Sequence, residues 1–203
     1  MTTKRFLFQR LTQEGIDKGF KPGATEESRQ WFKNKAGQLK DMRPERVMRS
    51  KGARDNMTSQ LFQPGDMYMF QYDAKGKANL PYYDRFPLIM LIEEYQGGFM
   101  GINFHYLPPQ LRAVLMGKMY SFLTDEEFDE KTRLKFKYQQ LKSLSGKALW
   151  KPCIKRYLNN QCQSRFVKIH PAEWDVILQL PLDRFAGARR SRVYTDSREA
   201  SKR

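Results

Sequence analysis

The stretch from Gln63 to Tyr120 constrains the fold most, because it places three β-favouring runs close together in the chain. These runs, each bounded by turn residues, are Met67–Tyr72, Phe86–Ile92 and Phe99–Tyr106. Gln96-Gly97-Gly98 predicts a hairpin between the second and third runs, and Pro108-Pro109 predicts the start of a helix. Three strands and a packed helix predict a small, strongly bent antiparallel sheet or an SH3-like barrel.

The first 60 residues predict a basic arm with one helix and a linker. Arg5–Leu11 favours a short strand. Thr25, with two glutamates after it, is a fair N-cap for a helix that runs to about Asp41. Residues 42–60 are polar and basic, which is typical of a linker.

Beyond the core, Thr124 and Glu127 have the spacing of a capping box and predict a helix start. Trp150-Lys151-Pro152 predicts a further helix through Leu158. The expected fold is α+β, with flanking helices and extended basic arms at both ends. It divides into a basic N-terminal arm (1–60), a β-rich core (61–122), a helical and mixed region that packs on the core (123–185) and a basic tail (186–203).

The positive charge lies in the two ends of the chain, whose net charge is +15. Residues 1–60 hold 14 lysine and arginine residues against 7 acidic ones, and residues 120–203 hold 18 against 10. Residues 61–119 are balanced, with 5 of each. Basic segments of this kind suit polyanions such as nucleic acid or acidic protein surfaces. No apolar run approaches the ~20 residues that span a bilayer, so no membrane span is expected.

The sequence offers few residues for catalysis. The chain has two histidines, His105 and His170, which lie in different predicted elements. The apolar strand before His105 favours a structural role for this residue. Asp84 and Arg85 are adjacent, and we expect a hydrogen bond between them that fixes a loop. No catalytic residue is therefore predicted.

The two cysteines, Cys153 and Cys162, are expected to be reduced thiols, as a lone pair usually is in an intracellular protein. Their spacing, taken with the two histidines, fits no structural zinc pattern. The chain also lacks the glycine-rich loops that bind nucleotide phosphates. No metal and no cofactor are therefore predicted.

Basic residues with interleaved aromatics make the C-terminal part a candidate for phosphate and base contacts. The candidates are Lys135, Lys137, Lys155, Arg156, Arg189 and Arg190. The alternative is a solvated basic helix face whose aromatic residues point into the core. Because the chain has no helix-turn-helix, zinc-finger or RNP-type motif, only non-specific binding is expected.

Residues 64–89 resemble the opening of the MazF and PemK toxins, which are endoribonucleases with an SH3-like barrel. Pro64-Gly65-Asp66 before a strand, a polar loop, and then Arg85 and Pro87 carry this resemblance. Phe86, which separates Arg85 from Pro87, departs from the toxin motif. The resemblance implies a barrel and, as the third functional alternative, a nuclease.

A broader resemblance covers most of the chain. The motifs that carry it are WFKNKA at 31–36, GDMYMFQYD at 65–73, LPYYDRFPL at 80–88, GFMGINFHYLP at 98–108 and WKPCIKRYL at 150–158. They resemble small proteins of tailed bacteriophages, above all those of contractile-tailed myoviruses and cyanophages. This resemblance implies a place among the late, virion-structural proteins, and it brings no catalytic residues.

The leading hypothesis is a non-enzymatic structural component of a phage virion, with the tail or baseplate favoured over the neck or capsid. Such a protein would be assembled in the host cytoplasm into a symmetric particle, where its basic arms would meet other virion proteins or packaged DNA. Arms of this kind need apolar anchors to offset the conformational entropy that they lose on ordering. Phe6, Phe8 and Trp31 are the candidate anchors.

The alternative hypothesis is a phage nucleic-acid-binding protein that acts in DNA replication or packaging. The two hypotheses differ in their response to salt. Phosphate contacts release counterions and weaken steeply as salt is added, whereas an assembly contact built on apolar anchors does not.

Overall fold

The structure, a computed structural model, describes residues 7–20, 25–39, 42–60, 63–123 and 150–202. These residues form seven α-helices: α1 (Gln9–Asp17), α2 (Glu26–Gln38), α3 (Pro44–Met48), α4 (Lys51–Asp55), α5 (Pro109–Leu123), α6 (Trp174–Gln179) and α7 (Arg190–Ala200). They also form eight strands: β1 (Met57–Thr58), β2 (Met67–Met69), β3 (Tyr83–Asp84), β4 (Leu88–Tyr95), β5 (Gly98–Asn103), β6 (Ile154–Leu158), β7 (Phe166–Ile169) and β8 (Phe185–Ala186).

Six strands form one open antiparallel sheet in the order β1-β7-β2-β4-β5-β6, and β3 pairs with β8 separately. The predicted α+β fold is therefore confirmed. The predicted hairpin joins β4 to β5, with Tyr95 opposite Gly98. Gly97 in its turn has a φ of 82°, which glycine adopts without strain.

The central strands are buried on both faces, and each face joins its own apolar cluster. One face packs with the helices and includes Met67, Met69, Leu88, Met90 and Ile92. The other face forms an aromatic cluster with Tyr68, Phe70, Tyr72, Phe99, Tyr157 and Phe166. Burial on both faces explains why β2 and the first half of β4 are continuously apolar in the sequence.

The sheet bends strongly around the aromatic cluster. In a flat sheet β2 and β6 are three strands apart, which is a separation of roughly 14 Å. Here the rings of Tyr72, just after β2, and Tyr157 on β6 have centroids 5.0 Å apart. The Tyr72 hydroxyl also accepts the backbone N–H of Leu158 at 3.3 Å. The fold is thus the bent sheet of the prediction rather than a closed SH3-like barrel.

The helices cover the face of the sheet opposite to the aromatic cluster. α2 packs against α6, and Phe32 and Ala36 of α2 are fully buried there. Leu7 and Val193, from opposite ends of the chain, join the same cluster. One apolar core therefore includes residues from all four predicted segments. Within the described residues, no helix is long and apolar enough to cross a membrane.

The prediction of an extended N-terminal arm is wrong for the described residues. α2 begins as predicted, with the Thr25 hydroxyl accepting the N–H of Ser28 at 3.1 Å. Residues 9–17, however, form the helix α1 instead of a strand. Leu11 packs on the core and Gly15 is buried against the ring of Phe32. Their spacing of four residues matches a helix rather than a strand.

The predicted linker at 42–60 is also structured, as α3, α4 and β1. Pro44 stands at the first turn of α3, where a missing N–H does no harm. The Ser50 hydroxyl caps α4 by accepting the N–H of Ala53 at 3.1 Å. β1 then pairs with β7 at the edge of the sheet.

Two predictions in the C-terminal part need correction. Residues 154–158 form β6 and not a helix, because they pair with β5 and place Tyr157 in the aromatic cluster. The predicted tail is the helix α7, which Val193 and Ser197 attach to the core as buried residues. Tertiary packing outweighs local propensity in both segments. The predicted capping box at Thr124 lies outside the described residues.

Candidate nucleic-acid interface

Arginine side chains surround one surface cavity of about 780 Å³. Arg43, Arg46 and Arg49 recur at every third position and are exposed. Arg46 lies on α3, and Arg43 and Arg49 are the residues directly before and after it, so the three share one side of this turn. Arg184 reaches the same cavity from the segment between α6 and β8. Glu45 is the one acidic residue among the five that line it. We call Arg43, Arg46, Arg49 and Arg184 the arginine cluster.

The local structure holds the arginine cluster in place. Val47 and Met48 of α3 are buried in the core, so the helix must present its arginines to solvent. Arg184 is fixed by three hydrogen bonds to backbone carbonyls, those of Pro181 at 3.1 Å, Asp183 at 2.8 Å and Met42 at 3.2 Å.

The arginine cluster carries charge that nearby acids leave largely uncompensated. In the described part of the chain, carboxylate partners bind Arg29, Arg112, Arg190 and Arg192, but no such ion pair is found for Arg43, Arg46 or Arg49. Guanidinium groups bind phosphate oxygens with paired hydrogen bonds. The cavity therefore has the chemistry of a phosphate-binding surface.

Residues 18–200 of the 203 match the family model of the phage T4 terminal DNA protecting protein. The chain belongs to this family. The predicted phage origin is thereby confirmed. Protection of terminal DNA agrees with the nucleic-acid-binding alternative better than with a tail or baseplate role. The chain has no significant match to a curated protein or to a solved structure.

No residue of the arginine cluster is among the sequence candidates. Arg43, Arg46 and Arg49 fall in the stretch 42–60, for which a linker is predicted, and Arg184 joins them only through the tertiary fold. The sequence of that stretch nevertheless contains a pattern that indicates a basic helix. Pro44 follows Arg43 as a first-turn proline would, and arginine then recurs at every third position with Val47 and Met48 between. This pattern is typical of a short helix that is apolar on one side and basic on the other.

The sequence candidates on β6 face different surroundings. Lys155 is half-buried, with its amine 4.1 Å from the centroid of the Tyr106 ring. Burial lowers the pKa of this amine. Arg156 is exposed, with its guanidinium 6.0 Å from the Tyr95 ring. As neighbours on a strand, the two side chains point to opposite faces and do not form one site.

Arg189 and Arg190 are exposed at the start of α7 and form a second basic surface. Arg190 is partly neutralised there, because its Nε lies 3.4 Å from the buried carboxylate of Asp183. The candidates Lys135 and Lys137 lie outside the described residues.

The candidate assembly anchors make contacts within the chain. Phe8 packs on the apolar core. Trp31 stacks on Phe20, with ring centroids 5.4 Å apart. The amines of Lys18 and Lys35 lie 5.7 and 5.6 Å from the Trp31 ring. Trp31 thereby joins α1 to α2, and Phe6 lies outside the described residues.

Asp84 and His105 belong to a buried polar network. The Asp84 carboxylate accepts the N–H of Phe86 at 3.0 Å and the Asn103 amide at 3.1 Å, and it lies 2.8 Å from Nδ1 of His105. The Asn103 amide also donates to the Tyr157 hydroxyl at 3.0 Å. The carboxylate is bound by these groups and not by Arg85. Arg85 is exposed and is held by its backbone N–H, which donates to Arg184 O at 2.8 Å.

We expect Asp84→Asn to lower the free energy of unfolding by about 2 kcal/mol, since an amide cannot accept from all three donors and leaves a buried group unsatisfied. DNA affinity should not change. Denaturant unfolding checks the first value and a binding titration the second. Glu94→Gln, at an exposed position, is the matched control and should stay within about 0.5 kcal/mol. Full stability with lost binding would assign Asp84 to a functional site instead.

The two cysteines are free thiols. Burial raises the pKa of Cys153 to about 12 and that of Cys162 to about 11. Both thiols are therefore protonated near neutral pH and are poor nucleophiles.

Proposed function

We propose that this protein binds the ends of linear phage DNA and shields them, with the arginine cluster as its contact to backbone phosphates. The observation that carries the proposal is the convergence of four arginines on one cavity with a single acid in its lining. The family description and the net charge of +15 support it. Guanidinium contacts to phosphates carry no base sequence information, so binding should be independent of sequence.

The proposed protection is steric and not catalytic. Asp84 and His105, an acid and a base at 2.8 Å, are 3% and 0% exposed and bind groups of the fold. This burial argues against the nuclease alternative. The proposed place of action is the phage particle, where the ends of packaged DNA would be the partner, after assembly in the host cytoplasm.

A triple variant, Arg43→Gln with Arg46→Gln and Arg49→Gln, tests the proposed contact. If each arginine neutralises one phosphate, the slope of log affinity against log salt should fall in magnitude by about 3. The same counterion argument gives a loss of affinity on the order of 100-fold near 0.15 M salt. Titration of a linear duplex at several salt concentrations measures both, and exonuclease digestion of that duplex measures the loss of protection.

A second triple variant, at the residue that precedes α7 and at two on it, is Arg189→Gln with Arg192→Gln and Arg198→Gln. It removes the same charge from three exposed positions. This variant should change the slope of log affinity against log salt much less than the triple variant at Arg43, Arg46 and Arg49. If the α7 variant loses affinity and the α3 variant does not, the phosphate contact lies on α7. Absence of any binding by the unmodified protein would refute the proposed function itself.

A further inference from the structure

A second cavity, of about 480 Å³, adjoins the arginine cluster and is mainly apolar. Its walls come from the start of α1, the end of α2 and α3, and include Leu7, Phe8, Leu39, Met42 and Val47. Leu39 is 37% exposed, and Phe8 and Met42 are half-buried. We call these five residues the apolar groove.

The apolar groove and the arginine cluster form one continuous surface. Arg46 lines both cavities. Met42 lines the groove, and its carbonyl accepts a hydrogen bond from Arg184 of the cluster at 3.2 Å. A ligand that fills both cavities must therefore present an apolar surface immediately beside negative charge.

The groove is held in shape by a contact that is distant in sequence. The buried carboxylate of Glu173 accepts the backbone N–H of Leu7 at 2.8 Å and that of Phe8 at 2.7 Å. Leu7 and Val47 are each only 8% exposed, so the floor of the groove is part of the core. The apolar surface thus stands ready before any ligand arrives.

We propose that the apolar groove receives the terminal base pair of a DNA duplex while the arginine cluster binds phosphates of the adjoining backbone. This inference rests on the proposed function and assigns the protein's preference for DNA ends to the apolar groove. Within a duplex every base pair is stacked on both faces, whereas the last pair has one uncovered aromatic face. That face can stack on the Phe8 ring and pack on Leu39, and it comes with phosphates at its rim. An internal DNA segment offers the phosphates alone.

Binding of two DNA ligands separates the contributions of the two cavities. One is a blunt-ended duplex, and the other has the same sequence with both ends closed by hairpin loops, which cover the terminal pairs. The unmodified protein should bind the blunt-ended duplex more tightly. Phe8→Ala with Leu39→Ala should lower that affinity about tenfold, the scale of one lost stacking contact. Affinity for the closed duplex should stay unchanged.

Two further variants complete the experiment. Leu39→Gln alone changes an exposed side chain, so it tests the groove even if the double variant fails to fold. It should reduce the preference for open ends. Leu80→Ala, at a residue that is 43% exposed and is not part of the groove, should leave both affinities unchanged. Denaturant unfolding verifies that each variant folds.

The possible outcomes distinguish the inference from the proposed function. If the unmodified protein prefers open ends and both groove variants keep that preference, the groove does not receive the terminal pair, although the proposed function stands. If the groove variants weaken both ligands equally, the groove is part of the general DNA contact and the inference fails. If the unmodified protein shows no preference for ends, the inference and the proposed function fail together.

Discussion

Replacing Arg112 with methionine is expected to lower the free energy of unfolding by about 3–5 kcal/mol. Arg112 stands on α5 with a fully buried side chain. Its guanidinium donates to five acceptors, which are Leu107 O at 2.7 Å, Leu178 O at 3.3 Å, Leu180 O at 3.3 Å, Asp183 Oδ1 at 3.0 Å and the Tyr194 hydroxyl at 3.0 Å. One side chain thereby joins α5 to the end of α6 and to α7.

The effect is large because removal of Arg112 leaves a buried charge behind. The carboxylate of Asp183 is 1% exposed. Burial by itself raises the pKa of Asp183, but the attraction of Arg112, His105 and Arg190, with the hydrogen bond from Arg112, together outweighs it, so the pKa is lowered overall. Without the guanidinium, the buried carboxylate of Asp183 keeps the exposed Arg190, 3.4 Å away, as a cationic partner. It must then either remain ionised with weaker compensation or take up a proton, and both are unfavourable.

Denaturant unfolding of Arg112→Met, of Asp183→Asn, of the two combined and of a surface control tests this account. Arg192→Met, on the surface of α7 and paired with Asp196, should change the free energy of unfolding by less than about 1 kcal/mol. Adding Asp183→Asn to Arg112→Met should cost less than the sum of the single changes, since no unpaired charge remains. A loss below about 1 kcal/mol for Arg112→Met would contradict the proposed role of the ion pair.

The sequence correctly predicts the elements whose conformation is determined by residues close together in the chain. The hairpin between β4 and β5 depends on its turn residues, and α2 on its Thr25 cap and first-turn glutamates. The continuously apolar start of β4 predicts burial by itself. Each of these signals spans a few residues and needs no knowledge of distant contacts.

The remaining elements depend on partners far away in the sequence. Residues 154–158 form a strand only because they pair with the edge of β5 and because Tyr157 packs in the aromatic cluster. Arg112 and Asp183 are 71 positions apart, and Glu173 lies 166 positions from Leu7. Even the arginine cluster, most of which has a local signal, acquires Arg184 only through tertiary packing. Sequence patterns alone could not predict these pairings.

Glu173 should make the stability of this protein depend on pH near neutrality. Burial raises the pKa of its carboxyl from 4.5 to about 7, although the N–H groups of Phe8 and Leu7 partly offset that rise. An acid whose pKa is higher in the folded state holds its proton more tightly there. Its contribution to stability is therefore complete below pH 4.5 and is lost as the pH rises through 7.

We expect the free energy of unfolding of the unmodified protein, relative to that of Glu173→Gln, to fall by about 3 kcal/mol between pH 4.5 and about pH 8. The comparison cancels the titration of every other group, since the glutamine variant differs only in a side chain that does not titrate. Denaturant unfolding at four or five pH values measures this difference. Glu199→Gln, at an exposed position on α7, is the matched control for the loss of one carboxylate. A flat profile for Glu173→Gln would show that the Glu173 carboxyl titrates normally in the folded protein.

Hydrogen exchange gives a second readout at the wall of the apolar groove that Glu173 holds. If the carboxyl titrates normally, exchange at the Leu7 and Phe8 amides should not depend on the ionisation of Glu173.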